Sequence, residues 1–510
     1  MSRSERFSYL LHEFSAESDY KELIFAGNLL RRAALLWPKR TALLYDGEKI
    51  TFEQLYRKTL PITQALLDRG ISGNSKVIIL YENSLNFYVA YYAAWQTGAV
   101  VAPINIFLKP HELEHIINDC SPDVILVSRK LQEKIPQELA HLIINEDDLN
   151  SLAQSGKQVT GTSIYKSENA LAVLLYTSGT TGLPKGVMLS SKNIITNALQ
   201  GACEFNITAH ERIYAALPLF HSYMQNCCLW GAIMMGAATI IVPKIDRSNL
   251  LKGLKLLPTI VLGIPQLYGL FCLMKHVSFP EAKFFFCGGD ALPDKIRKGF
   301  ELMFRRKICN GYGLTETSPI ISLNLTDHAV ATNNIGRPVI GVEICLKDNE
   351  GNTLKKHEIG ALHVKGDNVM MGYHKAPEAT AAVLKDGWLN TGDLATIDRL
   401  GNLLICGREK DLIVNKGIKI YPQEIENVLM SHPQVTAVAV IGIPDTNTEI
   451  PICFIAVRNN YPELLHELNK ICMQRLADYK IPRAFYVEKE LPMTSTGKVD
   501  KKILRARLMS

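Results

Sequence analysis

The sequence lacks the marks of several protein classes. Its eleven cysteines include no Cys-x-x-Cys pair and show no regular spacing, which indicates buried free thiols in a reducing compartment. No run of 18 apolar residues occurs, and the opening Met-Ser-Arg-Ser-Glu-Arg leads into no apolar segment of a signal peptide. No internal repeat or low-complexity tract is present. We therefore expect a cytoplasmic protein, with loose association with a membrane surface left open.

The sequence also lacks a strong excess of charge of either sign. The net charge is only +6, it is spread along the chain, and charged residues make up 21% of the composition. A balance of this kind mildly favours small anionic ligands such as nucleotides, and it does not indicate the basic patch that binds nucleic acid. The chain of 510 residues is too long for one hydrophobic core, so two or more domains are expected.

Apolar periodicity predicts an α/β fold. Residues 24–37 have a helical pattern, and Thr41–Thr51 reads as a hairpin whose turn is Asp46-Gly47. From Lys76 to Val127 the pattern alternates strand and helix as βαβαβ, which implies a parallel, doubly wound sheet. A second α/β set, with strands at 171–176, 213–217, 239–242, 259–262, 283–287 and 307–309, extends to about residue 330.

After residue 336 short alternating strands replace the helices, and a fresh α+β pattern follows Gly407-Arg408. These changes predict a large N-terminal domain over 1–407 and a C-terminal α+β domain over 408–510. Within the large domain we expect subdomain A at about 1–165, subdomain B at about 166–335 and a small β-subdomain at about 336–407.

The strongest chemical signal is the segment Leu174-Leu-Tyr-Thr-Ser-Gly-Thr-Thr-Gly-Leu-Pro-Lys-Gly-Val-Met-Leu-Ser190. An apolar strand leads into a loop whose glycines let backbone N–H groups turn toward an anion. Hydroxyl groups and Lys185 suit the β- and γ-phosphates of a nucleotide. A common P-loop would have Gly-Lys-Ser/Thr opening a helix, whereas here Gly186 follows the lysine. Taken alone, the segment is equally compatible with a flexible Gly/Thr surface loop.

Two later motifs complete a nucleotide site. In Asn310-Gly-Tyr-Gly-Leu-Thr-Glu-Thr317, Tyr312 lies between two glycines that leave its ring face uncovered for adenine. Thr315 can bind the α-phosphate, and Glu316 is a hard oxygen ligand suited to Mg²⁺. Asp386-Gly-Trp-Leu-Asn-Thr-Gly-Asp393 ends in a carboxylate that can accept hydrogen bonds from both ribose hydroxyls.

These motifs resemble the signatures of the acyl-adenylate-forming superfamily, which includes acyl-CoA synthetases, nonribosomal peptide synthetase adenylation domains and luciferases. The resemblance extends from about residue 35 to about 505. It also covers Leu217-Pro-Leu-Phe-His221, Gly417-x-x-x-x-Pro422-x-Glu424 and Leu491-Pro-Met-Thr-Ser-Thr-Gly-Lys498. The chain departs from the family pattern at Ala361, at Val414 and in the short loop Asp445-Thr-Asn-Thr-Glu449.

The resemblance implies a ligase that uses ATP, Mg²⁺ and coenzyme A. It assigns catalytic roles to Lys498, His221, Thr315 and Glu316, and metal binding to Glu316 and Thr177. The residues it assigns to cofactor binding are Thr177, Ser178, Gly179, Thr180, Thr181, Gly182, Lys185, Gly288, Tyr312, Gly313, Asp393, Arg408, Lys410 and Gly417. It also makes Lys410 the hinge about which the C-terminal domain rotates, withdrawing Lys498 and opening a tunnel for the thiol.

The acid substrate is predicted from the pocket. His221 stands where amino-acid-activating relatives carry an aspartate, so amino acids are disfavoured. The segments expected to line the pocket are Tyr223-Met224, Leu262-Gly-Ile-Pro265, Gly288-Gly289 and Leu314. Because these are apolar or small, a medium- or long-chain fatty acid fits best. Tyr223 resembles the tyrosine of hydroxycinnamate-CoA ligases, which makes an aromatic acid the runner-up.

Three further alternatives remain open at this stage. An acyl-AMP ligase that loads a carrier protein usually has an insertion before the ribose motif, and the stretch from Gly360 to Asp393 is compact. A luciferase-like oxygenase has no distinguishing signature here. Against an inactive scaffold homologue stand the intact Lys185, Glu316, Asp393 and Lys498.

Overall fold

The computed structural model describes residues 2–14, 25–154, 166–177, 183–325, 333–415, 418–445, 448–493 and 499–509. Its strands are β1 Thr41–Tyr45, β2 Glu48–Thr51, β3 Lys76–Leu80, β4 Val100–Pro103, β5 Val124–Val127, β6 Ile143–Asn145, β7 Leu171–Thr177, β8 Lys185–Ser190, β9 Arg212–Ala215, β10 Ala238–Ile241, β11 Ile260–Gly263, β12 Phe284–Cys287, β13 Cys309–Gly313, β14 Ile320–Asn324, β15 Arg337–Pro338, β16 Glu343–Lys347, β17 Gly360–Lys365, β18 Gly372–Tyr373, β19 Leu384–Lys385, β20 Trp388–Ile397, β21 Leu403–Arg408, β22 Ile413–Asn415, β23 Ile418–Ile420, β24 Val435–Asp445, β25 Thr448–Val457 and β26 Ala484–Glu488.

The helices are α1 Arg3–Glu13, α2 Leu29–Leu36, α3 Phe52–Asp68, α4 Leu85–Gln96, α5 Pro110–Cys120, α6 Glu146–Gln154, α7 Ser191–Glu204, α8 Ser222–Met224, α9 Ala232–Met235, α10 Arg247–Leu254, α11 Pro265–Leu273, α12 Asp294–Phe304, α13 Pro377–Val383, α14 Pro422–Met430, α15 Leu464–Arg475 and α16 Lys501–Met509. A π-helical stretch, Gln225–Gly231, joins α8 to α9. Within the described part of the chain, no helix is both long enough and apolar enough to cross a membrane.

Two large sheets form the N-terminal part. One has nine strands in the order β15-β14-β13-β12-β11-β9-β10-β1-β2, and the other has seven in the order β18-β8-β7-β4-β3-β5-β6. Their central strands are parallel and joined through helices, and most of those strands are fully buried apolar runs. This burial is what helices on both faces of a parallel sheet impose. The predicted α/β class is confirmed.

The sequence assigned β7 to the wrong sheet and assigned the hairpin β1–β2 to no sheet. The hairpin β1–β2 forms as predicted, but β1 pairs with β10, with Leu43 opposite Thr239, so the hairpin belongs to the nine-stranded sheet. Conversely β7, expected in the second α/β set, lies beside β4 in the seven-stranded sheet. Pairings across 70 to 200 residues leave no local signal, so chain order alone could not reveal them.

The adenylate motif also lies differently from the expectation. The sequence placed a strand at 307–309 with the motif in the loop after it, whereas β13 covers Cys309–Gly313 and contains Tyr312. β13 is parallel to β12 and antiparallel to β14. Tyr312 is therefore held in the ladder between β13 and β14, opposite Ser322.

The rest of the chain forms smaller sheets. The predicted β-region after residue 336 is a five-stranded sheet of β16, β17, β19, β20 and β21. Beyond it a β22–β23 ribbon precedes a three-stranded sheet of β24, β25 and β26, which has apolar clusters of its own against α14, α15 and α16. The end of β21 at Arg408 coincides with the predicted start of the C-terminal domain, and the boundary itself remains a prediction.

Candidate active site

The aspartate of the ribose motif is held by two partners. Asp393 in β20 lies directly across from Arg408 in β21, and the Arg408 Nε is 2.9 Å from its Oδ1. The hydroxyl of Tyr312 donates a hydrogen bond to its Oδ2. The Asp393 side chain is 5% exposed. Burial raises the pKa of the Tyr312 phenol, and the negative charge of the neighbouring Asp393 raises it further. The structure thus brings together the predicted residues Tyr312, Asp393 and Arg408.

The glycines around Tyr312 have a role that the sequence did not indicate. A Cβ on Gly313 would lie 1.9 Å from the carbonyl oxygen of Pro319, and a Cβ on Gly311 would lie 2.2 Å from the ring of Phe286. Because no side chain fits at such distances, these positions require glycine for backbone packing. The interpretation that they also keep the ring face clear for adenine stays a prediction.

Tyr373 connects two of the predicted site residues. Its hydroxyl donates a hydrogen bond to Oε1 of Glu316 over 2.9 Å, and the Lys185 Nζ lies 5.4 Å from the centre of its ring. A cation at this distance from a tyrosine ring is favourably placed. Sequence reasoning missed Tyr373 because its proximity depends on β18 pairing with β8, which sets Tyr373 opposite Val187.

Thr315 opens a single 3₁₀ turn, Thr315–Thr317, directly after β13 and Leu314. Its Oγ1 is 3.2 Å from the hydroxyl of Ser222, the first residue of α8. His221 immediately precedes that helix, and its ring centre lies 4.8 Å from the ring of Phe220. The two predicted catalytic residues Thr315 and His221 thus lie on either side of Ser222.

The phosphate loop connects β7 to β8, and residues outside these two strands hold both of its ends. Thr177 ends β7 directly opposite Lys185, the first residue of β8. The Tyr176 hydroxyl donates a hydrogen bond to Asp119 of α5 over 2.6 Å, and the His374 backbone N–H donates to the Gly186 carbonyl over 2.7 Å. The loop residues Ser178, Gly179, Thr180, Thr181 and Gly182 lie outside the described residues.

The predicted hinge lies next to the ribose site. Lys410 belongs to a 3₁₀ turn, Glu409–Asp411, that follows Arg408 at the end of β21. Burial lowers the pKa of the Lys410 ammonium, Asp411 opposes that shift, and Lys502 and Arg505 of α16 are among the cations that reinforce it. Gly417 and Lys498 lie outside the described residues.

A narrow apolar cavity lies behind this site. Its volume is about 40 Å³. It is lined by residues of α7 and the segment that follows it, the π-helical stretch, β9, β11 and β14, among them Ala198, Ala202, Phe205, Ile213, Cys227 and Leu262. Asn226 is the polar member of the described lining, which contains no charged side chain.

Most of the predicted pocket segments lie elsewhere. Of those positions, Leu262 is the one that borders the cavity. The Tyr223 hydroxyl donates a hydrogen bond to the Phe286 carbonyl over 3.1 Å, and a Cβ on Gly288 would be 3.6 Å from the Tyr223 ring. Tyr223 and Gly288 are therefore neighbours, and neither is among the residues that line the cavity, while Met224 is fully buried.

The donor set fits magnesium bound largely through phosphates. Among the described residues no group of three or more His, Cys, Asp or Glu side chains could hold a metal ion. Glu316 offers a carboxylate and Thr177 a hydroxyl, which are hard oxygen ligands. Mg²⁺ in nucleotide sites takes one or two protein ligands and completes its shell with phosphate and water.

Comparison with known proteins decides the family. The model of the AMP-binding enzyme matches residues 30–374, and that of the AMP-binding enzyme C-terminal domain matches residues 424–498. The chain belongs to the AMP-binding enzyme family. As an AMP-binding enzyme it is an AMP-forming acid–thiol ligase of the acyl-CoA synthetase type, and it uses ATP, Mg²⁺ and coenzyme A. The predicted family, reaction class and cofactors are confirmed.

Other AMP-binding enzymes resemble this one over almost their whole length. A long-chain-fatty-acid–CoA ligase of Bacillus subtilis is 31% identical, with 94% of this chain and 93% of that protein covered. A 2-succinylbenzoate–CoA ligase of the same organism is 30% identical, covering 92% and 96%. The structure of the o-succinylbenzoate coenzyme A synthetase of B. subtilis with ATP and magnesium has a TM-score of 0.85 at 27% identity, covering 95% and 99%.

Proposed function

We propose that this ligase activates a medium- or long-chain fatty acid to acyl-AMP and transfers the acyl group to coenzyme A. The apolar cavity behind Tyr223 is the observation that carries the proposal. A long-chain-fatty-acid–CoA ligase among the relatives is in agreement with it. Pockets that bury a ligand are lined mainly by apolar side chains, with a few polar groups that fix its orientation.

A line of aromatic rings supports a path from the acyl carboxylate to the cavity. The Tyr223 ring centre lies 5.7 Å from that of Phe286, and Phe286 lies 5.3 Å from Phe205, which borders the cavity. Tyr223 follows His221 and Ser222, and Ser222 contacts Thr315. A carboxylate beside His221 and Thr315 would therefore have its apolar chain directed toward the cavity.

The cavity walls match an aliphatic chain and exclude a second charge. Burying an acyl chain there removes about 0.8 kcal/mol of unfavourable hydration per methylene group. A second carboxylate would be buried with no cation among the described lining residues, which costs several kcal/mol. Burial raises the pKa of the Cys227 thiol to about 12, so this lining cysteine stays a neutral, apolar surface.

The site residues provide the chemistry of the first step. The carboxylate attacks the α-phosphorus of ATP, and pyrophosphate leaves as acyl-AMP forms. Asp393, fixed by Tyr312 and Arg408, retains lone pairs that can accept the ribose hydroxyls. Lys185 binds the departing phosphates, and Thr315 and Lys498 stabilise charge that develops at the α-phosphate. Glu316 and Thr177 would hold Mg²⁺, which neutralises phosphate charge when bound.

The second step uses domain rotation. We infer an N-terminal domain over 1–407 and a C-terminal domain over 408–510, with Lys410 as hinge. Rotation would withdraw Lys498 and admit the coenzyme A thiolate, which attacks the acyl carbonyl and releases AMP. Lys295 of α12 donates a hydrogen bond to the Pro433 carbonyl over 2.7 Å, a contact between the two domains that rotation would break.

An aromatic acid is the second candidate. The 2-succinylbenzoate–CoA ligase among the relatives and Tyr223 favour it. The Tyr223 hydroxyl, however, already donates its proton to the Phe286 carbonyl, so its phenol would have to serve an aromatic ligand as an acceptor only. The fatty-acid proposal needs no hydrogen bond from Tyr223.

The test is a panel of acids assayed with ATP, Mg²⁺ and coenzyme A, with acyl-CoA read by mass spectrometry and acyl-AMP by ATP–pyrophosphate exchange. We expect kcat/KM to rise by orders of magnitude from acetate to octanoate or palmitate, since each buried methylene contributes up to about 0.8 kcal/mol. A preference for acetate, 2-succinylbenzoate or a hydroxycinnamate would overturn the assignment. ATP–pyrophosphate exchange without formation of acyl-CoA would indicate that the acyl acceptor is a carrier protein.

A matched pair of variants tests the cavity itself. Ala202→Phe fills it from α7, and we expect kcat/KM for palmitate to fall at least about tenfold more than for octanoate. Ala381→Phe adds the same ring to an exposed position of α13 and serves as the control. Equal losses for both acids in Ala202→Phe would indicate that the acyl chain binds elsewhere.

A further inference from the structure

We propose that the N-terminal helix α1 is a specificity-determining brace that holds one wall of the acyl cavity in place and so limits the length of the acid. The wall is α7, and α1 packs along it. The inference rests on the proposed fatty-acid function, because it assigns the cavity to the acyl chain.

One face of α7 borders the cavity, and the opposite face contacts α1. Ala198, Gly201 and Ala202 recur at helical spacing on the face of α7 that borders the cavity. Gln200 and Glu204 lie on the other face, toward α1 and the segment Ile340-Gly341. A contact that holds the outer face of α7 therefore determines how far its inner face can retreat from an acyl chain.

Two arginines of α1 make the contact. The Arg3 Nη1 is 2.5 Å from Oε2 of Glu204, the last residue of α7. The Arg6 Nη2 donates a hydrogen bond of 2.5 Å to the carbonyl of Ile207, whose side chain borders the cavity. Phe7, Leu10 and Leu11 pack against the main apolar core. α1 thus contacts a cavity-lining residue directly as well as the end of the wall.

The contact between α1 and the end of α7 depends on an ion pair between Arg3 and Glu204. The Glu204 side chain is 5% exposed while Arg3 is 64% exposed, so a cation at the surface neutralises a buried carboxylate. The Ile340 backbone N–H also bonds this carboxylate. Without Arg3 the ionised Glu204 would need water, and the end of α7 would have to move outward to obtain it. That movement would lengthen the cavity at Phe205 and Ile207.

The α1 helix is built to stay folded at this place. Ser2 caps its N-terminus by accepting from the Glu5 backbone N–H over 3.2 Å, and the Glu5 carboxylate accepts from the Ser2 N–H over 2.6 Å. A reciprocal cap of this kind stabilises the first turn, from which Arg3 and Arg6 project. The brace therefore has a fixed geometry at the end that contacts α7.

The experiment compares the dependence of activity on acyl chain length for the parent protein and for the Arg3→Ala/Arg6→Ala variant. We expect the ratio of kcat/KM for stearate to that for decanoate to rise about tenfold, with the KM for ATP unchanged. Arg3→Lys/Arg6→Lys keeps both charges and should retain most of the parent ratio. Arg57→Ala, which removes an exposed ion pair with Glu53, controls for loss of a surface arginine.

The outcomes separate this inference from the proposed function. If the parent protein accepts no aliphatic acid, the proposed function fails and the brace has no substrate to select. If it accepts aliphatic acids and a folded Arg3→Ala/Arg6→Ala variant keeps the parent ratio, the brace is refuted alone. Should that variant not fold, Arg3→Ala alone leaves the buried Glu204 charge without its cation while Arg6 keeps its bond to Ile207, and a ratio displaced toward stearate supports the brace whereas an unchanged ratio refutes it.

Discussion

The hydroxyl of Tyr312 donates a hydrogen bond to Oδ2 of Asp393, while the Arg408 Nε binds Oδ1 of the same carboxylate at 2.9 Å. Three motifs that are separated by 81 and 15 residues in the chain therefore converge on one side chain. Protein groups thus orient both oxygens of Asp393. Pre-oriented groups lose less freedom on binding, so this network should contribute directly to ATP affinity.

Tyr312→Phe tests that network. The change keeps the ring and removes the hydroxyl, so the Asp393 carboxylate loses one hydrogen bond, and a hydrogen bond to a charged group contributes about 1.5–3 kcal/mol. We expect the KM for ATP to rise about tenfold or more, with little change in the KM for the acid. Initial-rate kinetics check this, and Tyr9→Phe, at an exposed position of α1, is the control. An unchanged KM for ATP would remove Tyr312 from ribose recognition.

Tyr373→Phe tests the contact with Glu316. Loss of the 2.9 Å hydrogen bond frees the carboxylate to rotate, so we expect half-saturation by Mg²⁺ to shift to about tenfold higher concentration. Titration of ATP–pyrophosphate exchange with Mg²⁺ measures this. Tyr461→Phe removes a similar bond, to Glu467 over 2.6 Å, in the C-terminal part and should leave the titration unchanged. The same shift in both variants would contradict a local role.

Lys498→Ala should affect one half-reaction. Removing a cation aimed at charge that develops during adenylation costs about 10²–10³ in rate. Thioester formation from preformed acyl-AMP should continue, because the proposed rotation has withdrawn Lys498 by then. The two rates are measured separately by pyrophosphate exchange and by coenzyme A consumption. Equal losses in both would contradict the assigned role.

Lys410→Pro tests the hinge. Proline fixes φ near about −65° and restricts the preceding Glu409, so the turn Glu409–Asp411 should be held in one orientation. We expect adenylation to continue and acyl-AMP to accumulate with little thioester, since ATP and acid favour the docked state. Single-turnover assays beside a thermal melt check this. A folded variant that loses both steps equally, or neither, would place the hinge elsewhere.

The Arg3–Glu204 pair predicts a pH dependence of stability. Burial raises the pKa of Glu204 above its ordinary 4.5, and Arg3 opposes that shift. A raised carboxyl pKa stabilises the fold below the unfolded pKa, and this contribution is lost as the pH rises through the folded pKa. Arg3→Ala raises that pKa further. Its Tm should therefore fall further below the parent at about pH 8 than at about pH 5, as thermal melts can show.

The sequence by itself determined the reaction class. Local chemistry sufficed for this because phosphate, ribose and metal are bound by residue types and backbone turns that recur within a few positions, as in 174–190 and 310–317. Buried apolar runs likewise predicted most strands, and the helix between two such runs implied parallel pairing. These are properties of short segments, which a sequence displays directly.

Only the tertiary structure decided which segments meet. Tyr373 reaches Glu316 through the β18–β8 pairing, and the glycines beside Tyr312 are required by Pro319 and Phe286. The cavity is lined chiefly by α7 and the π-helical stretch, although the sequence placed the pocket elsewhere. Contacts of this kind form between residues tens to hundreds of positions apart, and their energy depends on shape and burial in the packed core. No local pattern encodes such contacts, so the apolar cavity and the packing of α1 on α7 became visible only in the folded chain.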